Sequence, residues 1–238
     1  MKKANIQVDL LEHMGSDISV VNSARVSFNK ESYFEYDDDN PFIQYVSDKD
    51  CKLINYLADH NHFTPFCHAF LSFRIKAPIF VARQLAKHQV GLSWNEVSRR
   101  YVDNEPEFYF PEKWRAKADN VKQGSSTEFV KFKNNREDYH TCPGESYNPP
   151  FIENFIETSL NLYLYLIEKK KVCPEQARMI LPLNTMTEWI WSGSLLAFIR
   201  VCKLRLDKHA QKETRDVAEL IGNNVKTHFP VSWESYMK

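Results

Sequence analysis

Hydrophobic and polar positions along this chain fall into recognisable periods, and each period predicts an element. Ile6, Val8 and Leu10 alternate with polar neighbours, which predicts a strand over residues 5–12. Residues 16–26 predict a short helix. A polar stretch then runs to Asp37-Asp38-Asp39. Cys51, Leu53, Ile54 and Leu57 supply the apolar positions of a helix over 48–60. Residues 68–77 set Ala69, Leu71, Phe73 and Ile75 against Phe70, Ser72, Arg74 and Lys76, the alternation of a half-buried strand. Helical pattern returns over 151–171, and Pro174 opens a further short helix to about Ile180. Thr185, Thr187, Trp189 and Trp191 alternate with Met186, Glu188 and Ile190, predicting a strand over 184–192. Leu195, Phe198, Ile199, Cys202 and Leu206 mark one face of a helix from Ser194 to Leu206. Asp207 is placed to cap a last helix over about 209–226.

One stretch resists this reading. Pro78 suits the first turn of a helix, in whose register Ile79, Ala82, Ala86 and Val90 share one face. Arg83, Gln84, Lys87 and His88 share another, and like charges four apart repel on an isolated helix. After Gly91, the run Ser93-Trp94-Asn95-Glu96-Val97-Ser98-Arg99-Arg100-Tyr101 has no strand alternation that we recognise, and it predicts a binding loop. Cations gathered beside hydroxyls and amides suit an anion, and phosphate accepts from all of them. Arg205 stands between Leu204 and Leu206, where an unpaired guanidinium is poorly placed, so an anionic partner is expected.

These elements predict an α+β fold: a single core of mixed or antiparallel sheet with several helices. Residues 103–150 are polar and broken by Gly124-Ser125-Ser126 and Asn148-Pro149-Pro150. They read as a partly mobile elaboration of one domain spanning residues 1–238, not as a second domain. Aromatic content is ample for a large core, with 16 Phe, 11 Tyr and 5 Trp. Lys+Arg and Asp+Glu both number 31, and zero net charge argues against a general nucleic-acid binder.

Cys51, Cys67, Cys142, Cys173 and Cys202 are odd in number and scattered, so neither a disulfide framework nor a zinc site is expected. No apolar core follows Met1-Lys2-Lys3-Ala4-Asn5, and no run is long enough for a membrane helix. A cytoplasmic protein that binds no membrane is the expectation. None of the six glycines builds Gly-x-Gly-x-x-Gly or a phosphate loop, so a Rossmann motif is excluded. His60, His62 and His68 span a proline turn without a nearby carboxylate, so no metal is assigned. Cys67-His68 invites a thiolate nucleophile with an adjacent base; on a strand the two would point to opposite faces, and a buried cysteine is preferred.

Taken in order, several segments resemble the flavin-dependent thymidylate synthases. Ala24-Arg25-Val26-Ser27-Phe28 and His62-Phe63-Thr64-Pro65-Phe66-Cys67-His68 are similar to two early family segments. Arg83-Gln84-x-x-Lys87-His88 followed by Ser93-x-Asn95-Glu96-x-Ser98-x-Arg100-Tyr101 resembles the family signature. Gln176-Ala177-Arg178 before Leu181-Pro182, and Leu204-Arg205-Leu206-Asp207-x-His209-Ala210-Gln211-x-Glu213, resemble its C-terminal half. Lys87 and Gln89 stand where the signature has Arg, one residue is inserted after His88, Cys67 stands where Glu is common, and Ser194 and Leu196 replace a flavin-contacting Asn and Arg.

The resemblance implies an enzyme that converts dUMP to dTMP, with methylenetetrahydrofolate as carbon donor and FAD, reduced by NADPH, as hydride source. It implies a homotetramer whose active sites lie between subunits. It places Thr64, Lys87, His88, Gln89, Glu96, Ser194 and Arg200 against FAD. It places Gln84, Lys87, Glu96, Val97, Ser98, Arg99, Arg100, Arg178 and Arg205 against dUMP, with Arg205 the catalytic candidate. The residue types alone also admit a non-catalytic nucleotide- or RNA-binding module and a methylase built on Cys67.

Overall fold

A computed structural model describes residues 1–119, 125–132, 146–147 and 149–238. In chain order the strands are β1 (Lys2–Lys3), β2 (Gln7–Met14), β3 (Glu35–Tyr36), β4 (Gln44–Tyr45), β5 (Phe70–Pro78), β6 (Leu92–Glu96), β7 (Glu107–Phe108) and β8 (Met186–Ser194). The helices are α1 (Asp17–Arg25), α2 (Asp48–Asp59), α3 (Ile79–Leu85), α4 (Pro150–Glu168), α5 (Pro174–Ala177), α6 (Leu195–Arg205), α7 (Lys212–His228) and α8 (Pro230–Met237). The main sheet is antiparallel throughout, in the order β2-β5-β8-β6. The α+β expectation holds.

The long strands form where the alternation is strongest. Leu71, Phe73, Ile75 and Ala77 of β5 are buried, and Phe73 and Ile75 pair in register with Trp191 and Trp189 of β8. α6 covers this face with Phe198, Ile199 and Cys202, and α7 adds Val217, Ile221 and Val225. Phe73, Trp191 and Phe198 meet edge to face, with ring centroids 4.9–5.4 Å apart. That geometry suits the aromatic quadrupoles. A smaller cluster of Phe108, Ile156 and Leu160 ties β7 to α4.

Several expectations need correction. The helix that begins after Pro78 ends at Leu85, and Val90 is 80 % exposed instead of lying on its apolar face. Residues 92–96 are an edge strand, not a loop. The alternation is present in Leu92-Ser-Trp94-Asn-Glu96, with Leu92 and Trp94 packed against the core. Asp207 does not cap α7. The capping position belongs to Gln211, while Asp207 Oδ1 accepts from the backbone N–H of His209. The short α8 carried no recognised signal. It starts at Pro230, and buried Asp17 accepts from the backbone N–H groups of Val231 and Ser232 at 2.9 and 3.0 Å. Of the 103–150 elaboration, residues 120–124, 133–145 and 148 lie outside the described residues, Cys142 among them. The described part is built in, because Arg115 forms a bidentate ion pair with Glu213 of α7, both contacts at 2.9 Å.

Candidate functional site

Two features bring the second half of the unassigned stretch onto the sheet. Gly91 has φ 74°, a left-handed conformation that L side chains rarely adopt. Its carbonyl accepts from Ser194 N–H at 3.1 Å. A Cβ on Gly193 would lie 2.3 Å from that carbonyl, so glycine is required where β6 closes on β8. Beyond this turn β6 runs to Glu96, whose backbone register partner is Trp189.

At this end of the sheet a cleft of about 400 Å³ opens. Glu96, Val97, Arg99 and Arg178 line it together, although Arg178 lies far away in sequence. The volume falls in the range of small-molecule sites. Thr187 donates to Glu96 Oε1 at 2.7 Å, and the Trp94 indole N–H donates to Oε2 at 3.2 Å. Ser98 opens the following turn, accepting at its carbonyl from Tyr101 N–H and at its hydroxyl from Arg100 Nε. Arg99 and Arg178 donate to the backbone carbonyls of Asn104 and Glu175.

A second group of candidates gathers where α3 meets α6. Arg205 Nε donates to His88 Nε2 at 2.9 Å, and its Nη2 donates to the Gln84 carbonyl at 3.4 Å. The expected anionic partner is absent among the described residues. A guanidinium donates but cannot accept, so His88 Nε2 carries no proton and the ring is neutral. Burial, and then the Arg205 charge, hold the His88 pKa below its ordinary value. Burial also lowers the Arg205 pKa. The Gln84 side chain is fixed at both ends, donating to Gln211 and accepting from Thr214.

The third group is Thr64 and Arg200. Arg200 places its guanidinium 5.7 Å from the Phe63 ring centroid. Thr64 lines a separate cavity of about 730 Å³ with Phe28, Lys30, Tyr56, His62 and His68. Exposed aromatic faces and cationic or hydrogen-bonding side chains meet there, a donor set that fits a flavin nucleotide. Lys87 and Gln89 are exposed. Ser194 is only 6 % exposed, and its hydroxyl caps α6 by accepting from Ala197 N–H.

Along one chain the cleft and the start of α6 lie well apart. Thr187 and Ser194 are seven residues apart on β8, roughly 23 Å at strand rise. Cys67 and His68 are not on a strand: Cys67 ends a 3-10 turn and donates to the Phe63 carbonyl at 3.6 Å. His60 Nδ1 lies 2.9 Å from the Tyr56 carbonyl, a local turn contact. Among the described residues no set of three His, Cys, Asp or Glu side chains gathers as metal ligands, and no helix is long and apolar enough to cross a membrane.

The family profile of the thymidylate synthase complementing protein matches residues 9–231. The flavin-dependent thymidylate synthase of Thermosipho africanus is 34 % identical over 230 residues, covering 96 % of this chain and 90 % of that one. That of Kosmotoga olearia is 35 % identical over 230 residues, covering 97 % and 89 %. The chain belongs to the flavin-dependent thymidylate synthase family. It is therefore an enzyme of that family, a flavoprotein methyltransferase. The fold is shared with a solved UMP/dUMP methylase, PolB from Streptomyces cacaoi bound with 5-Br dUMP, at a TM-score of 0.77 and 26 % identity, covering 100 % of this chain and 97 % of that one.

Within this family frame, sequence reasoning missed four residues that organise the candidates. Trp94 and Thr187 hold Glu96, while Gln211 and Arg115 lie behind Gln84. The Trp94 signal was legible in the alternation of β6. The contacts of Thr187 and Arg115 depend on partners about 90 residues away and left no local trace.

Proposed function

We propose that this protein converts dUMP to dTMP as a cytoplasmic homotetramer with active sites shared between copies. The balanced reaction takes dUMP, methylenetetrahydrofolate, NADPH and a proton to dTMP, tetrahydrofolate and NADP+. FAD, when bound, supplies the hydride. The observation that carries this reading is the cleft in which Glu96, Val97, Arg99 and Arg178 converge. Arginines there suit the nucleotide phosphate, because the planar fork matches its oxygens. Ser98 and Arg100, the sequence neighbours of Arg99, are assigned to the same donor set.

Arg205 has a separate role. It is a partly buried cation whose described partners, His88 and Gln84, are neutral. Opposite the uracil ring, its fixed charge favours loss of the N3 proton and so raises electron density at the carbon that accepts the methylene group. Arg178 and Arg205 sit in different groups of one chain, which supports a site completed by a second copy. Thr64, Arg200, Lys87, His88 and Gln89 are assigned to the flavin side. Ser194 would act there through its place at the start of α6.

The test is direct. Purified protein is titrated with FAD and then with dUMP or UMP while the flavin spectrum is recorded, and dTMP formation is assayed with methylenetetrahydrofolate and NADPH. The expected result is a flavin spectrum perturbed by dUMP and turnover to dTMP. A protein that binds no FAD at micromolar concentration, or that methylates only UMP, overturns the reading. Light scattering that gives a monomer mass overturns the shared site.

A further inference from the structure

Glu96 is exposed, so its carboxylate would normally wander among rotamers. Here both oxygens are held. Thr187 donates to Oε1 at 2.7 Å and Trp94 to Oε2 at 3.2 Å. Trp94 is itself immobilised: it stacks on Trp189 with centroids 4.4 Å apart and planes at 19°, and meets Trp191 edge-on at 5.5 Å. Those two indoles are almost wholly buried. The carboxylate is thus tied to the core through one rigid aromatic stack and one hydroxyl on the neighbouring strand.

We propose that Trp94 and Thr187 are positioning residues that aim the Glu96 carboxylate into the nucleotide cleft. The proposal rests on the reading of that cleft as the dUMP site. The sequence of β6 explains the arrangement. Leu92, Trp94 and Glu96 share one face of the strand, and Glu96 is the member that falls at the strand end, where the cleft begins. A carboxylate has about four acceptor sites, so two donors leave capacity for a ligand donor. A carboxylate repels phosphate, which belongs beside Arg99 and Arg178 instead. Glu96 therefore meets a neutral donor of the nucleotide, a hydroxyl or N–H. Fixing the carboxylate beforehand removes an ordering cost at binding.

The test measures dUMP affinity and steady-state kinetics for FAD-loaded wild type, Thr187→Val, Thr187→Ser, Trp94→Phe and Glu96→Ala, with folding checked by circular dichroism. Thr187→Val keeps the shape and loses the hydroxyl. Trp94→Phe keeps an aromatic stack and loses the N–H. Each should weaken dUMP binding roughly 3- to 10-fold, the size of one lost hydrogen bond, with KM raised more than kcat is lowered. Thr187→Ser should return to within about 2-fold of wild type, since its hydroxyl is restored. In the Glu96→Ala background, Thr187→Val should add nothing further. The proposal is overturned if Glu96→Ala weakens binding while Thr187→Val and Trp94→Phe bind as wild type. It is also overturned if Thr187→Val is equally harmful with and without Glu96. If Glu96→Ala itself binds dUMP normally, the cleft reading fails and takes this proposal with it.

Discussion

Two arginines end one line of contacts, and the fold treats them oppositely. Arg115 pairs bidentately with Glu213, which is almost fully buried. Gln211 donates to the same carboxylate at 3.1 Å and accepts from Gln84, whose carbonyl accepts from Arg205. At the Arg115 end the half-buried cation has a buried anion. At the Arg205 end the partners are neutral, His88 and a backbone carbonyl. The pKa directions follow: burial pushes Glu213 up, but the hydrogen bonds from Arg115, Gln211 and its own backbone, with the Arg115 charge, together bring it below its ordinary value, whereas Arg205 is lowered by burial. A satisfied cation stabilises the fold. A partly desolvated cation whose described partners are neutral gains little from them.

The largest effect should come from breaking the satisfied end. Arg115→Ala leaves Glu213 buried without its counter-ion. The expected cost is roughly 3 kcal/mol, the low end for a broken buried pair because Arg115 keeps some solvent contact. For a chain of this length, that lowers the melting temperature by roughly 6–12 °C. Arg115→Met combined with Glu213→Leu should recover much of the loss, since the charges leave together. Calorimetry of the three proteins decides this. A melting temperature unchanged in Arg115→Ala would mean that the pair is no clamp.

Arg205 should behave in the opposite sense. Arg205→Ala removes a cation that gains little from its neutral partners, so stability should change by less than about 1 kcal/mol. Turnover should fall about 10- to 150-fold, as one charge-assisted contact worth roughly 1.5–3 kcal/mol is lost. Arg205→Lys should fail as well, because a point charge does not reproduce the planar fork. Near-wild-type dTMP formation in either variant, with fold and FAD content retained, would make Arg205 structural.

His88 sharpens the contrast through pH. Its folded-state pKa lies below the ordinary imidazole value of 6.5. A depressed pKa contributes stability that is present above the unfolded value and lost as pH falls through the folded one. Below that point the ring protonates, stops accepting from Arg205, and sets two cations together. Melting temperature and turnover should both decline on the acid side, in the range where imidazoles titrate. His88→Gln offers a non-titrating acceptor and should flatten that limb. An unchanged acid limb in His88→Gln would assign it to other groups.

How much of this was legible depended on whether a residue's partner is local. β5, β8 and α6 announced themselves because their apolar positions repeat at the period of the element they form. β6 was obscured because only Leu92 and Trp94 are apolar, and the third position on their face is the charged, exposed Glu96. The end of α3 at Leu85 had no proline or glycine to mark it. β1 and β7 pair through two residues each, too few for a period. Arg205 was legible as an oddity among leucines, but its neutral partners His88 and Gln84 lie more than 100 residues away. From the sequence an anionic partner is expected, whereas the described contacts of Arg205 are to neutral groups.

The smallest effect is expected at Cys67, and it decides whether the chemistry belongs to the protein's own thiol. A nucleophilic cysteine needs a base that takes its proton and a pocket that favours the thiolate. Cys67 closes a 3-10 turn, with its S–H directed at the Phe63 carbonyl. A carbonyl does not take the proton, so this contact generates no thiolate. The side chain is half-buried and packs against the core, the ordinary place of a structural cysteine. Cys67→Ala should therefore keep dTMP formation within about 2-fold of wild type, at a stability cost of about 1 kcal/mol or less, as for an ordinary substitution. Steady-state turnover of the FAD-loaded variant is the measurement. Complete loss of activity with the fold and flavin intact would restore the cysteine-dependent reading and remove Arg205 from the centre of the mechanism.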